Sequence, residues 1–252
     1  MKLNKIIFVV PVYNEILNVN KLVDNLVLTL KKYSIQDYKI IFGDDNSNDG
    51  TFEYLENLRK ANNSIEVLRF GETNKGPGFI FKNIFIHILS NKLLYEKYNI
   101  LISVEADNTS DISIINQMIA LHDFNYDICL SSPYSFSGGL INTQLYRKFL
   151  SYFGNILIKN TLKLNGINTV SSFFRSYSIP FLKKNLQNID LNKTENGFNW
   201  VIEILFLLNK NSMKLIEIPC HLKSDNRVGK SKMKILNNIL SYLKLILKLK
   251  IL

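Results

Sequence analysis

The sequence has 252 residues, of which 46% are hydrophobic and 21% charged, and its 31 basic against 21 acidic residues give a formal charge of +10. This composition excludes an intrinsically disordered chain and allows one large domain or two small ones, each with a buried core. The only two cysteines, Cys129 and Cys220, exclude a disulfide framework and favour a reducing cytosolic setting.

The first half of the chain alternates apolar strand patterns with helical patterns. The predicted strands span 5–12, 38–43, 65–70, 98–104 and 126–131, and the predicted helices span 18–33, 51–61, 78–90 and 111–122. This alternation predicts an α/β fold with a mainly parallel sheet flanked by helices. Ligands of such folds bind at the carboxyl ends of the strands.

The second half is less regular. A helix is predicted over 142–165, a strand over 214–222 and an amphipathic helix over 232–252, with a loop over 224–231. We therefore expect one domain over residues 1–232, followed by a separate amphipathic helix over 233–252. No segment has the ~20 mostly uncharged residues that a bilayer span needs, and no signal peptide is evident. The chain is expected to be soluble or peripheral.

The C-terminal helix and the net charge raise the question of a partner. From residue 230 to the end there are six lysines and no acidic residue, beside a wide apolar face. This pattern is typical of a helix in an anionic membrane interface, and the alternatives are a terminal helix packed on the domain or a dimer contact.

Because no nucleic-acid motif occurs, we expect no nucleic-acid partner. Lysine supplies 26 of the basic residues, a skew typical of AT-rich coding, so the five arginines carry more functional weight.

Three polar clusters follow predicted strands, at residues 11–15, 44–51 and 105–108. The carboxyl ends of parallel strands meet at one edge of a sheet, so these clusters should converge. Each could instead be a turn or a helix N-cap, where Asp, Asn and Ser are favoured. Glu105 and Asp107 are two residues apart, and two such carboxylates with a substrate phosphate suit Mg2+ or Mn2+.

Seven short motifs then appear in a fixed order: PVYNE at 11–15, DDNSNDGT at 44–51, KGPG at 75–78, EAD at 105–107, SSPY at 131–134 followed by GG at 138–139, SSFFR at 171–175 and RVGKSK at 227–232. With this order and spacing the chain resembles family 2 glycosyltransferases of the GT-A fold, from about residue 6 to residue 232. It is most similar to the dolichyl-phosphate and polyprenyl-phosphate mannose and glucose synthases. Compared with those motifs, Glu105 replaces an aspartate, Pro133 an arginine, and Phe173 a glycine.

The resemblance implies roles for particular residues. Asp107 and Glu105 would hold the metal, Arg227 would reach the donor phosphates, and Arg147 with Ser151 would hold the acceptor phosphate. Asp107, Arg227 and Arg147 are thus the expected catalytic residues. A surface charge for Arg147 and a helix-facing hydroxyl for Ser151 are the alternatives. The residues expected to bind the nucleotide-sugar are Pro11, Tyr13, Glu15, Asp44 or Asp45, Lys75, Glu105, Ala106, Asp107, Arg227 and Lys232.

The resemblance also implies the reaction. It would be an inverting transfer of one sugar from a UDP- or GDP-sugar to a polyprenyl phosphate. The enzyme would be cytoplasmic and peripheral on the cytoplasmic face of a membrane. A phosphate acceptor is already an anion, so no strong general base is required. The alternative acceptor is a sugar hydroxyl, for which Glu195 or Glu203 would be the base. An inactive nucleotide-sugar-binding scaffold is the alternative of another class. A membrane protein or a second copy of the chain is left open as a further partner.

Overall fold

The computed structural model of the protein describes residues 4–209, 213–229 and 235–251. The strands are β1 (Ile6–Val12), β2 (Tyr38–Asp44), β3 (Ile65–Arg69), β4 (Ile100–Ser103), β5 (Ile128–Ser132), β6 (Gly139–Ile141), β7 (Arg175–Ser178), β8 (Leu215–Pro219) and β9 (His221–Lys223). The α-helices are α1 (Ile16–Lys32), α2 (Thr51–Ala61), α3 (Pro77–Ser90), α4 (Lys92–Lys97), α5 (Ile115–Asp123), α6 (Leu145–Thr161), α7 (Ile179–Leu186), α8 (Trp200–Asn209) and α9 (Ile235–Ile251).

The central sheet has seven strands in the order β3-β2-β1-β4-β7-β5-β8. Strands β1, β2, β3 and β4 are parallel to one another, and β5 is parallel to β8. Strand β7 is antiparallel to both β4 and β5. Consequently the carboxyl ends of the six other strands lie at one edge of the sheet. Strands β6 and β9 form a separate two-stranded ribbon.

Both faces of the sheet are covered by apolar side chains. Alternate residues of β1 point to opposite faces, so Ile7 and Val9 belong to one core cluster while Ile6 and Phe8 belong to the other. Helices α3, α7, α8 and α9 contribute to the first cluster, and α1, α2 and α5 to the second. A strand buried on both faces needs an apolar run at its centre, and β1, β2 and β4 share this pattern, with residues 7–10, 40–42 and 100–102 buried.

The predicted fold class is confirmed, and the structure corrects several element bounds. The strand predicted over 214–222 is divided into β8 and β9. The helix predicted over 142–165 is shorter and spans Leu145–Thr161, and residues 139–141, which were not predicted to be a strand, pair with β9 as β6. The helix predicted over 111–122 begins with a single 3-10 turn at Ile112–Ile114. Strand β7 and helices α4 and α7 were not predicted.

Helix α9 packs against α6 and buries Leu245, Ile246 and Leu249 in the first core cluster. Along the opposite side of the helix, Leu240 and Leu247 are exposed. One face therefore packs on the domain, as in the alternative interpretation of the tail, while an apolar edge stays open to solvent. The predicted boundary at residue 232, between the domain and the C-terminal helix, lies outside the described residues and stays a prediction. No helix within the described ranges is both long enough and apolar enough to cross a bilayer.

Candidate active site

A cavity of about 710 Å3 lies at the carboxyl ends of β1, β2 and β4, a size typical of ligand sites. It extends from the polar clusters of the first half to α6 and the loop after β9. The predicted site residues that line it are Pro11, Tyr13, Glu15, Asp45, Glu105, Ala106, Asp107, Arg147, Ser151 and Arg227. The fold thus brings together residues that are distant in sequence, and their individual roles stay predictions.

Backbone-to-side-chain hydrogen bonds join the first two polar clusters. The Asn14 amide donates to Ser47 Oγ at 2.9 Å, and the Glu15 amide donates to Thr51 Oγ1 at 2.9 Å. Asp49 accepts from the Thr51 amide at 3.0 Å at the start of α2. The Ser, Thr and Asp49 side chains of this cluster therefore shape turns, as the alternative interpretation proposed, and they hold Glu15 at the cavity.

The adjacent carboxylates Asp44 and Asp45 point in different directions. Asp44 is fully buried and pairs with Arg69 Nε at 3.1 Å, across the β2–β3 register. It does not line the cavity, whereas its neighbour Asp45 does. Asp45 accepts from the amides of Lys75 and Gly76 at 2.8 and 2.7 Å. Burial raises the pKa of Asp45, although these two amides oppose the increase.

The 75–78 loop is held close to the chain before α8. Gly76 has a φ of 97°, a conformation that favours glycine, and Pro77 begins α3. A Cβ on Gly78 would lie 2.2 Å from the carbonyl oxygen of Gly197, so this close approach needs glycine. The Lys75 side chain lies over the Phe79 ring, 4.9 Å from its centroid, and does not line the cavity. The other predicted nucleotide-binding lysine, Lys232, lies outside the described residues.

Asp107 is nearly buried and carries several polar contacts. Its carboxylate accepts from the Thr109 amide at 3.0 Å and from Thr109 Oγ1 at 2.7 Å. Arg227 donates to the other carboxylate oxygen from Nε at 2.9 Å, and its terminal nitrogen donates to the same atom. The loop after β9 therefore places an arginine directly on the second acidic residue of the EAD motif.

Glu105 lines the same cavity and accepts from Ser110 Oγ at 3.1 Å. Burial, reinforced by the charge of Asp107, raises the pKa of Glu105 to about 7. Two carboxylates that repel each other across a cavity are the oxygen donors that a hard divalent cation prefers.

The described residues hold no group of three or more His, Cys, Asp or Glu side chains placed for a metal ion. Glu105 and Asp107 fit a metal whose remaining ligands come from a substrate diphosphate and water.

The other end of the cavity is formed by α6. Arg147 is half-buried there, and its guanidinium lies 6.0 Å from the Tyr146 ring centroid while Nε donates to the Tyr146 hydroxyl at 3.2 Å. Ser151 follows one turn later on the same side of the helix. Among the residues that the structure describes, no carboxylate forms an ion pair with Arg147, which lines the cavity.

Phe173 and Phe198 form an apolar wall between the two ends of the cavity. Their rings meet edge to face at 5.3 Å, and Phe173 also stacks on Phe81 at 5.1 Å. Phe173, which replaces a glycine of the related motif, lines the cavity. Further residues line the cavity that were not predicted to do so, among them Thr143, Gly197, Phe198 and Ser224, and none of the four lies in one of the motifs.

The two candidate general bases do not line the cavity. Glu203 is 3% exposed and pairs with Lys248 Nζ at 2.8 Å, and its other oxygen accepts from the Glu195 amide at 2.6 Å. Lys248 Nζ lies 3.2 Å from the carboxylate of Glu195. These contacts give both glutamates a structural role in holding α9 and the loop before α8.

Comparison with known proteins agrees with this geometry. The sequence profile described as glycosyl transferase family 2 matches residues 7–186. A dolichyl-phosphate beta-glucosyltransferase from Dictyostelium discoideum is 21% identical over 224 residues, which cover 83% of this chain and 64% of that protein. The chain thus spans slightly less than two thirds of the length of that relative.

Two solved structures share the fold. Glucosyl-3-phosphoglycerate synthase from Mycobacterium tuberculosis, crystallised with Mn2+, UDP and phosphoglyceric acid, has a TM-score of 0.62 at 12% identity and covers 98% of this chain and 77% of its own. S. aureus TarS 1–349 in complex with UDP-GlcNAc has a TM-score of 0.59 at 16% identity and covers 96% of this chain and 65% of its own. At such identities the likeness establishes the GT-A-like fold.

Proposed function

The chain belongs to glycosyl transferase family 2, and from that membership we propose that it is a metal-dependent glycosyltransferase that moves a sugar from a nucleotide-sugar to a lipid phosphate. The observation that carries the proposal is a cavity with the carboxylates of Glu105 and Asp107 at one end and Arg147 of α6 at the other. The curated relative from Dictyostelium is a dolichyl-phosphate enzyme, and a structural neighbour was crystallised with Mn2+ and UDP.

The donor end of the cavity suits a nucleoside diphosphate sugar. Pro11, Tyr13 and Asp45 form the wall that would face the nucleoside, and Glu105 with Asp107 would hold Mg2+ or Mn2+. The bound cation would supply charge neutralisation for the diphosphate leaving group. Arg227 already contacts Asp107 and would add a second positive charge beside the same phosphates.

The reaction follows from these placements. An oxygen of the acceptor phosphate attacks the anomeric carbon of the sugar, and the bond from that carbon to the diphosphate breaks as the new bond forms. Attack from the side opposite the leaving group inverts the anomeric centre. Arg147 would hold the acceptor phosphate through its guanidinium, whose planar fork suits phosphate oxygens. The acceptor needs no general base, which agrees with the structural contacts of Glu195 and Glu203.

A lipid acceptor is supported by the surface of α6. Seven large side chains on this helix are exposed, and we call them the α6 apolar face: Leu145, Tyr146, Phe149, Leu150, Tyr152, Phe153 and Leu157. No acidic residue occurs between Asp127 and Asp190, whereas lysines and arginines do. An exposed apolar patch with basic neighbours is suited to an anionic lipid surface.

A groove of about 260 Å3 between α6 and α9 continues from the cavity toward this surface. Its walls are mainly apolar and include Leu157, Ile158 and Ile246, and it opens beside Arg147 and Ser151. A lipid phosphate with its head on Arg147 would have an apolar path for its hydrocarbon chain. We therefore place the enzyme peripherally at the cytoplasmic face of a membrane, with the α6 apolar face and the exposed edge of α9 toward the lipid.

Turnover tests the proposal directly. The purified chain is incubated with UDP-glucose or GDP-mannose and Mn2+, with and without a short polyprenyl phosphate, and the glycolipid is quantified. Asp107→Asn should lower transfer at least 100-fold, because it weakens the metal site and the contact with Arg227. Asp24→Asn, an exposed carboxylate on α1, is the matched control and should leave transfer unchanged. Equal transfer with water or sugar acceptors would contradict the lipid-phosphate assignment.

Vesicle binding tests the membrane surface separately. Replacing Phe149 and Phe153 together by serine should lower co-sedimentation with vesicles that contain anionic lipid. Phe124→Ser removes a phenylalanine that is 74% exposed after α5, distant from α6 in sequence, and serves as the control. Equal loss in both variants would mean that general surface hydrophobicity, rather than the α6 apolar face, drives binding.

A further inference from the structure

Asn18 is a buried polar residue near the start of α1, and it does not line the cavity. We propose that Asn18 is a positioning residue for Arg227. It holds the backbone of Val228, the residue that follows Arg227, and thereby fixes the position of the arginine. The proposal rests on the role given above to Arg227. Asn18 lies beyond the PVYNE segment, so none of the motifs gives it a role.

The contact between Asn18 and Val228 is made in both directions. The Val228 amide donates to Asn18 Oδ1 at 2.8 Å, and Asn18 Nδ2 donates to the Val228 carbonyl oxygen at 3.1 Å. The same Nδ2 also donates to Glu15 Oε2 at 2.7 Å. Asn18 is only 3% exposed, so these bonds are protected from water. A short side chain with both a donor and an acceptor is needed here, and asparagine provides both.

Arg227 lies between two attachments of its loop. On one side, Ser224 Oγ lies 2.6 Å from Thr143 Oγ1, and Asp225 accepts from Asn142 Nδ2 at 2.7 Å. On the other side, Val228 is held by Asn18. Without Asn18, the described part of the loop would be attached on one side only, and the Arg227 guanidinium could leave Asp107.

Asn18 is also connected to the strand end that carries the acidic pair. Asn108 Nδ2 donates to the Asn18 backbone carbonyl at 2.9 Å, and Asn108 directly follows Asp107. One residue of α1 thus contacts both segments whose side chains meet in the Arg227–Asp107 pair. Asn18 therefore holds both the segment that carries the Arg227 guanidinium and the segment that carries the Asp107 carboxylate.

Hydrogen exchange of the loop tests this role without any turnover. In Asn18→Ala, amides of the 224–229 segment should exchange at least 10-fold faster, and the Val228 amide should change most. Asn20→Ala is the matched control, since Asn20 is on the same helix and its side chain accepts from the Tyr54 hydroxyl instead. Asn18→Asp is a near-isosteric second variant, which keeps an acceptor for the Val228 amide but loses the donor. Its carboxylate would lie beside that of Glu15 in a buried site, so the amides of 224–229 should exchange at least as fast as in Asn18→Ala.

Kinetics in two backgrounds separates positioning from general stability. Asn18→Ala should lower kcat by about 10- to 100-fold with a smaller effect on donor KM, because misplacing a catalytic group by about 1 Å has effects of this order. In an Arg227→Ala background, Asn18→Ala should lower kcat less than 2-fold. Equal losses in both backgrounds, or unchanged exchange of the loop, would overturn the proposal. If no donor is turned over by the parent chain, the proposed function fails while hydrogen exchange still decides the role of Asn18.

Discussion

Replacing Lys248 by methionine removes the cation that pairs with a buried carboxylate, while it keeps most of the aliphatic side chain. Lys248 lies on α9, and its Nζ is 2.8 Å from Glu203 Oε1 and 3.2 Å from Glu195 Oε1. The Lys248 side chain is 38% exposed, whereas that of Glu203 is 3% exposed. The substitution therefore leaves a carboxylate in the protein interior with fewer partners.

The exposures of the two partners set the expected loss of stability. A surface ion pair contributes about 0 to 1 kcal/mol, and breaking a fully buried pair from one side costs about 3 to 5 kcal/mol. Here one partner is buried and the other is more than a third exposed. We therefore expect Lys248→Met to lower the free energy of unfolding by about 2 kcal/mol. Salt should reduce this difference only weakly, because buried charges are poorly screened.

Urea unfolding at pH 7, followed by circular dichroism, measures the effect. Lys244→Met is the matched control, since Lys244 lies one turn earlier on α9 and is exposed. It should change the unfolding free energy by less than about 0.5 kcal/mol. Repeating Lys248→Met in a Glu203→Gln background should remove most of its cost. A loss as small as that of Lys244→Met, or an equal loss in the Glu203→Gln background, would refute the packed position of α9.

Three further outcomes are expected. Gly78→Ala should destabilise the protein by about 2 kcal/mol in urea unfolding, because the added Cβ would collide with the carbonyl oxygen of Gly197. Gly154→Ala, with nothing within 4 Å of the added Cβ inside α6, should instead raise the unfolding free energy by about 0.5 to 1 kcal/mol. A hydrogen bond from His87 lowers the pKa of Glu66 from 4.5 to about 2. The stabilisation that the ionised Glu66 gives the folded protein is present above pH 4.5 and is lost as the pH falls through 2. Glu66→Gln should therefore lower the free energy of unfolding by about 1 kcal/mol at pH 7 and leave it unchanged at pH 2.

The strands of the first half could be predicted because burial on both faces demands an apolar run. Strand β2 begins at Tyr38 as predicted, and β1 begins within one residue of its prediction. The polar residues that follow these runs then lie at one edge as a consequence of parallel pairing. This is why Glu105 and Asp107 could be assigned to a cavity from the sequence.

The choice between Asp44 and Asp45 could not be made from the sequence. Successive residues of a strand point to opposite sides, so one carboxylate had to face away from the site. Which one does so depends on Arg69, which reaches Asp44 from the neighbouring strand β3. That pairing depends on the register of β2 and β3, which no local pattern specifies.

Strand β7 was missed because its residues have no strand pattern. Arg175 begins it and is fully buried, with its guanidinium donating to the carbonyl oxygens of Ser172, Val201 and Val170. An arginine inside a sheet is tolerated only where the tertiary structure supplies such acceptors. Arginine is scarce in this chain, and at Arg175 it is structural, whereas the roles of Arg147 and Arg227, which line the cavity, stay predictions.

The central position of β7 has a consequence for synthesis on the ribosome. Strands β1 to β4 form a contiguous half of the sheet from residues 6–103, and they can pair as soon as they emerge. Strand β5 emerges next, but both of its neighbours in the sheet, β7 and β8, come later in the chain. Such non-local pairing is slow and leaves an unpaired strand exposed in the meantime. The nascent chain can therefore form the half of the cavity with Glu105 and Asp107 first, and it gains the other half only after β7 and β8 have emerged.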